Sequence, residues 1–292
     1  MGKKKHFWIT LFLLPTLIIF LLIYAIPLFT VIYTSFFKYR GFSGNMSFIG
    51  ISNYINLFTK DSSFSKAMSN TIIWILLQST IHVSLGALIA LILSKKPFGW
   101  KFVRTAYMIP NIISASALGI IYLNIFNPKY GVVNSIFRFL GHKNFIKNWF
   151  FDYNTAFLTV TLTWLPFAGL ITILILAEIM SIPESIFEAA EIDGATDLQI
   201  NIHIKLPLIR NIMGTSTIIA ATSMLKEFEL IFLTTKGGPG DLTLNLPLYL
   251  YKTALIENNF GYANAIGTIL IFMGIITIVI INKLFKVGQS DV

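Results

Sequence analysis

Lys226, Glu227 and Glu229 follow fourteen residues without a charge, Ile212 to Leu225, in a stretch otherwise apolar enough to enter a membrane. A charge at the centre of a bilayer costs about 2.5–3.5 kcal/mol on insertion scales, so such side chains must face a cavity, pair with each other or reach the surface. On a continuous helix Lys226 and Glu229 would be i,i+3 neighbours able to neutralise each other. Two readings follow: a polar path through the membrane, or a helix that ends near Leu225 and leaves the charges at the outer surface. Elsewhere the reactive inventory is thin. There are four histidines and no cysteines, which excludes disulfides and thiolate metal sites. Gln78 and His82, four apart in an apolar run, read as interhelical hydrogen-bond partners rather than a proton relay, and Glu178 reads as interfacial. No metal site is expected, and no His, Ser and carboxylate set at membrane depth has catalytic spacing.

A second group of polar residues lies between two apolar segments. Ser181 to Pro207 holds five carboxylates with one histidine, and its small residues Ala189, Ala190 and Gly194 invite close approach by another surface. Pro183 suits the first turn of a helix. Gly194 can end that helix in a left-handed conformation, and Thr196 or Asp197 can cap the next. This arrangement predicts a helix, a sharp turn and a helix: a docking knob without catalytic chemistry.

The elements that must hold these groups are membrane helices. Of 292 residues, 55% are hydrophobic and 12% charged, and the mean hydropathy is +0.74, whereas soluble domains carry about 25% charged residues. The expected fold is an all-α integral membrane protein of one domain, residues 1–292, with six crossings near 15–36, 71–93, 105–126, 155–177, 212–235 and 263–281. A crossing needs about 20 apolar residues. The charge-free run from Phe7 to Phe37 is too long for a signal peptide and reads as a short interfacial piece followed by a helix from Pro15. Residues 38–68 read as a loop with a short helix near Ser52–Phe58. The net charge of +9 is spread over short loops, which suits lipid headgroups better than nucleic acid. Six crossings put both termini, residues 94–104 and the 181–207 loop on one side. Lys3 to Lys5 and Lys95, Lys96, Lys101 and Arg104 abut helix ends, which marks that side as cytoplasmic.

The 181–207 loop also carries a recognisable pattern. Glu188-Ala189-Ala190, three residues, Gly194, nine residues, then Ile204-x-Leu206-Pro207 resembles without a gap the E-A-A loop of the membrane subunits of binding-protein-dependent ABC importers. Phe48-Ile-Gly50-Ile-Ser-Asn53-Tyr54 resembles that family's F-x-G-L-x-N-Y element. Asn127-Pro128-x-x-Gly131-x-x-Asn134 and Thr234-x-x-Gly237-Gly238-Pro239 resemble elements of its carbohydrate branch, which handles maltose, multiple sugars or glycerol phosphate.

The resemblance implies a cytoplasmic coupling loop in which Glu188, Ala189, Ala190, Asp193, Gly194, Ile204, Leu206 and Pro207 meet an ATPase. It implies a second, related permease, two cytoplasmic ATPase subunits and an extracytoplasmic solute-binding protein as partners, in the plasma membrane of a bacterium or archaeon. No cofactor is expected in this chain, ATP and Mg being held by the ATPases. The chain has no G-x-x-x-x-G-K-[ST] phosphate loop and is not expected to be an enzyme. Within such an importer Trp164, next to the kink expected at Pro166, could stack on a sugar ring or serve packing alone, and Lys226, Glu227 and Glu229 could border the solute path. Import of glycerol-3-phosphate or a related small polar solute is the alternative, and an ion-coupled transporter using the Lys226 and Glu229 pair a more distant one.

Overall fold

The structure, a computed structural model, describes the backbone of residues 2–41 and 44–288 and the side chains from Trp8 onward, apart from residues 42 and 43. The last four residues of the expected cytoplasmic C-terminus lie outside the described residues. Four continuous helical spans are long and apolar enough to cross a membrane: Trp8–Thr34, Ser62–Ser94, Ala156–Ser181 and Phe260–Phe285. Helices Trp100–Ile112 and Ala115–Ile125 would supply a fifth, but their axes meet at 103°. The chain divides into two compact units, residues 1–62 with 249–272 and residues 63–248 with 273–292.

In the first unit, helix runs from Gly2 to Thr34, with one wider π turn over Leu21–Ala25. The break expected at Pro15 is absent: Pro15 sits inside the helix. The only strands among the described residues, Phe37–Tyr39 and Met46–Phe48, form an antiparallel hairpin within the stretch expected to be a loop. Asn53, buried in the helix Ser52–Thr59, explains the polar motif around it. Its Nδ2 donates to the carbonyls of Ser35 at 2.7 Å and Phe37 at 3.1 Å, joining helix end to hairpin. Asp61 accepts from the hydroxyls of Tyr249 at 2.5 Å and Tyr262 at 2.8 Å, which fastens the start of the last span.

The second unit packs as membrane helices do, through small residues that let backbones approach. Val83, Ala87, Ala90 and Leu93 meet Ile171, Ile175, Leu176 and Ile179 in one buried cluster that also takes in Ile209 and Ala220. Gly169 lies so close to the backbone carbonyl of Tyr107 that any Cβ there would collide with it. That approach draws the 100–112 helix onto the Ala156–Ser181 span.

The stretch 212–235 differs most from a simple reading. Helix Arg210–Ser223 ends, the chain turns through Met224 to Phe228, and a short helix resumes at Glu229. Hydrogen bonds hold the segment that follows. Asn70 Nδ2 donates to the carbonyls of Leu242 at 3.0 Å and Leu244 at 2.7 Å, Thr71 Oγ1 accepts from Leu246 N at 3.0 Å, and Asn245 Nδ2 donates to the Glu227 carbonyl at 2.5 Å. Each is a buried polar group matched to a carbonyl or amide that would otherwise be unsatisfied. The Asn-Pro motif is a turn of the same kind. Asn134, fully buried, donates to the carbonyls of Pro128 and Lys147, each at 2.9 Å, and accepts from Trp149 Nε1 at 2.7 Å.

Candidate functional site: a rigid loop and a polar cavity

The acidic loop is built from local signals. Helix Glu184–Ile192 ends at Gly194, whose φ of +80° only glycine adopts without strain. Ala195 N donates to the Ala190 carbonyl at 2.9 Å and Gly194 N to that of Glu191 at 3.0 Å, the paired bonds of a Schellman ending. The next turn opens with a capping box: Thr196 N donates to Gln199 Oε1 at 2.7 Å, and Gln199 N to Thr196 Oγ1 at 3.4 Å. Two apolar side chains flank this corner in full view of solvent, Ile192 at 86% and Leu198 at 67% exposed. Glu188, Ala189, Asp193 and Gly194 are exposed too, while Ala190, Ile204 and Leu206 are half-buried and Pro207 is exposed. Behind the corner, Ile200 and Ile209 are buried, and Ile209 belongs to the helix core.

Two lysines tie the loop to the end of the second span. Lys95 Nζ is 2.5 Å from Asp197 Oδ2, and this contact, with its charge, holds the Asp197 carboxyl below the ordinary carboxylate range. Lys205 is buried, its ammonium 5.0 Å from the centre of the Phe187 ring and 3.3 Å from Ser94 Oγ, to which it donates. Burial, and then repulsion from Lys95, lower its pKa. Arg210 Nη2 donates to the Leu284 carbonyl at 3.3 Å, so the loop, residues 94–95 and the end of the last span meet at one end of this unit.

The second assembly is a cavity of about 160 Å³ in the helix packing. Gln78, His82, Asn111, Trp164, Ser223 and Glu227 supply its polar wall. Each is delivered by an irregularity: Gln78 and His82 by a π turn, Asn111 by the end of the bent helix, Trp164 by the break before Pro166, Ser223 and Glu227 by the turn after the fifth predicted crossing begins. π turns inside helices often mark functional sites. The carbonyl of Leu165 beside Pro166 accepts from Tyr107 OH at 3.4 Å. Trp164 is 3% exposed and stands edge-on to Trp74, centroids 4.7 Å apart. Three buried atoms on this wall have no hydrogen-bond partner: His82 Nδ1, Asn111 Nδ2 and Trp164 Nε1. Such atoms are costly unless a ligand or water meets them.

Of the residues singled out by sequence, Trp164 and Glu227 therefore come together. Lys226 and Glu229 do not join them. Both are exposed, and the break at 224–228 removes the continuous helix on which they would have been i,i+3 neighbours. Lys95 pairs instead with Asp197 of the acidic loop. Gln78 and His82 were read as glue, and Asn111 was not noticed. Its signal was an amide after a proline within an apolar run, Pro110-Asn111.

Residues 82–289 match the family described as binding-protein-dependent transport system inner membrane component. The chain is 34% identical over 288 residues to the multiple sugar-binding transport system permease protein MsmF of Streptococcus mutans, covering 97% of this chain and 98% of that one. It is 31% identical over 285 residues to the probable ABC transporter permease protein YurN of Bacillus subtilis, covering 96% and 97%. Among solved structures it superposes with a TM-score of 0.83 on a chain of a bacterial alginate ABC transporter in complex with an alginate pentasaccharide-bound periplasmic protein, at 23% identity over 98% of both chains. At that identity the superposition speaks for the fold.

Proposed function

This chain belongs to the family of binding-protein-dependent transport system inner membrane components, a membrane-embedded, non-enzymatic permease of ABC type, and from that membership we propose that it carries a sugar or oligosaccharide inward at the expense of ATP hydrolysed by other subunits. The observation that carries the mechanism is the solvent-facing corner at Gly194. Bare isoleucine and leucine side chains on a fixed turn fit docking by another protein, because exposed apolar groups on a rigid support gain most from burial.

In this reading the knob of Glu188, Ala189, Ala190, Asp193 and Gly194 enters a cleft on a cytoplasmic ATPase. Ile204, Leu206 and Pro207 set the angle of the return helix into the core at Ile209. Closure of two ATPases around ATP and Mg pushes this loop and its counterpart on a second permease together. The push enters the second span through the Lys95 and Lys205 contacts and the Ala156–Ser181 span through the core cluster, and alternates access to the cavity. The chain itself supplies no cofactor. An extracytoplasmic binding protein delivers the solute, a partner supported by the binding-protein complex of the superposed importer.

The proposal places six crossings in the plasma membrane with both termini and the loop in the cytoplasm. The broken 210–234 segment serves as the fifth, and its turn borders the solute path. The sugar-transport relatives favour a saccharide over glycerol-3-phosphate, and the knob favours ATP over an ion gradient. The test is purification through a tagged permease, counting co-eluting ATPase and measuring uptake into vesicles. ATP-dependent uptake that requires the binding protein supports the proposal. Uptake that follows a proton or sodium gradient without ATP overturns it.

A further inference from the structure

The short helix Val132–Phe139 presents an outward face that the described residues leave uncovered. Val132, Ile136, Phe139 and the following Leu140 recur at helical spacing and are all exposed, Phe139 at 91% and Leu140 at 68%. The opposite face is fixed. Asn134 is held by Pro128, Lys147 and Trp149, and Phe137 stacks on Phe145 and Trp149 with ring centroids 4.6 and 5.9 Å apart. A row of apolar side chains on a rigid support marks contact with a membrane or with another protein. Position and charge both bear on which. Asn127 Oδ1 accepts from Lys129 N at 2.9 Å and Tyr130 N at 3.3 Å, and Gly131 N donates to the Asn127 carbonyl at 3.0 Å. The chain therefore turns within residues 126–131, and the short helix starts close to the end of the apolar helix Ala115–Ile125, on which Ile120 and Ile121 are exposed as well. From Asn127 to Phe151 the sequence holds Lys129, Arg138, Lys143 and Lys147 and no carboxylate.

We infer that Val132–Phe139 is an interfacial anchor: it lies along the membrane surface with Phe139 and Leu140 inserted below the headgroups, and the surrounding cations meet the phosphates of anionic phospholipids. An acidic protein surface would match the cations but leave the apolar row in a polar setting, whereas an anionic bilayer satisfies both. Lysine and arginine can reach up to the headgroups while their stems stay along apolar surface. The Lys147 ammonium already lies 5.3 Å from the centre of the Trp149 ring, and tryptophan is the residue enriched at headgroup level. In the six-crossing order this segment is extracytoplasmic, the side on which lysine and arginine are not the orienting signal, so these four charges call for a partner of their own. The anchor would hold the end of the Ala115–Ile125 helix at a set depth while other segments move.

The experiment places a spin label on single cysteines, Ile136→Cys, Phe139→Cys and Asn144→Cys, in the full chain assembled with cysteine-free partner subunits. The complex is reconstituted into vesicles of phosphatidylcholine alone or of phosphatidylcholine and phosphatidylglycerol in equal parts. Collision of each label with oxygen, which concentrates in lipid, is compared with collision with a water-soluble nickel chelate. The oxygen-to-nickel ratio at 136 and 139 should exceed that at 144 by roughly threefold or more, as for side chains about 5–10 Å below the headgroup boundary. Phosphatidylglycerol should raise the ratio at 139 further, and adding Lys129→Gln with Lys143→Gln should abolish that rise. All substituted side chains are exposed, and co-elution of the subunits with ATP-dependent uptake reports that the variants are assembled. A label at 139 as open to nickel as the one at 144 overturns the inference. So does a label shielded from both reagents, which would show the face covered by a protein. A ratio at 139 that ignores phosphatidylglycerol overturns the assignment to anionic headgroups.

Discussion

Lys95 Nζ lies 2.5 Å from Asp197 Oδ2, joining the end of the second span to the first turn after the loop's corner, 102 residues further along the chain. The side chains are largely exposed, so the bridge sets a position more than it stores energy. The Asp197 carboxyl pKa is depressed in the folded protein, so whatever the pair contributes is present above the ordinary carboxylate range and lost as pH falls through the lowered value. Transport should therefore show no step from this pair near neutral pH. Lys95→Met should leave assembly unchanged and slow uptake by roughly twofold or less, the scale of a screened surface pair. A loss of uptake with ATP hydrolysis preserved would instead make the bridge an obligatory part of force transfer.

Gly194→Leu forces a side chain into φ +80° at a cost of about 1 kcal/mol or more, and disturbs the exposed corner. The complex should lose ATPase subunits or hydrolyse without transport, while the binding protein keeps its sugar affinity. Gly194→Asn, which tolerates this conformation better, should be milder. Glu188→Ala, exposed and outside the capping bonds, should weaken ATPase retention without altering permease folding. Full stimulated turnover in both Gly194→Leu and Glu188→Ala would remove the role given to the knob.

Lys205 answers a different question, since it is buried and its ammonium pKa is lowered. A base with a depressed folded pKa destabilises the fold while protonated in both states, and the penalty shrinks as pH rises from the folded value toward that of a free lysine. Lys205→Met keeps the stem packed on Phe187 and should raise or preserve the thermal midpoint at pH 7. Lys205→Glu introduces a carboxylate into the same place beside Asp197 and should lower it. If Met is the more damaging substitution, the contact with Ser94 and Phe187 outweighs desolvation.

Trp164→Phe should retain the packing on Trp74 but remove the N–H facing the cavity, so sugar binding weakens with assembly intact. Trp164→Ala should cost about 3–5 kcal/mol, the usual range for emptying an aromatic site, and reduce the yield of folded complex. Equal sugar binding by wild type and Trp164→Phe would confine the indole to packing.

Single cysteines test the orientation against a background that contains none. Ser62, Asn144 and Glu257 are exposed and should label from outside, whereas Phe98 and Gln199, also exposed, should label only after the membrane is opened. External labelling of Gln199 in sealed cells would contradict ATPase docking at this loop.

The sequence by itself determined what depends on neighbours along the chain. Glycine at 194, threonine at 196 and glutamine at 199 specify a helix end and a new cap within a few residues, so the loop was legible, as were the apolar spans. The Asn53 and Asn134 motifs were visible as patterns, but their bonds to the carbonyls of Ser35 and Lys147 were not. What only the tertiary structure decided is convergence. Gln78, Asn111, Trp164 and Glu227 come from separate segments and meet because Gly169 allows the 100–112 helix against the Ala156–Ser181 span, and because the chain breaks at 224–228. That break separated Lys226 and Glu229, whose i,i+3 spacing had meaning only on an unbroken helix. Hydropathy records the cost of placing a residue in lipid, and says nothing about which two helices approach closely enough to enclose a polar wall.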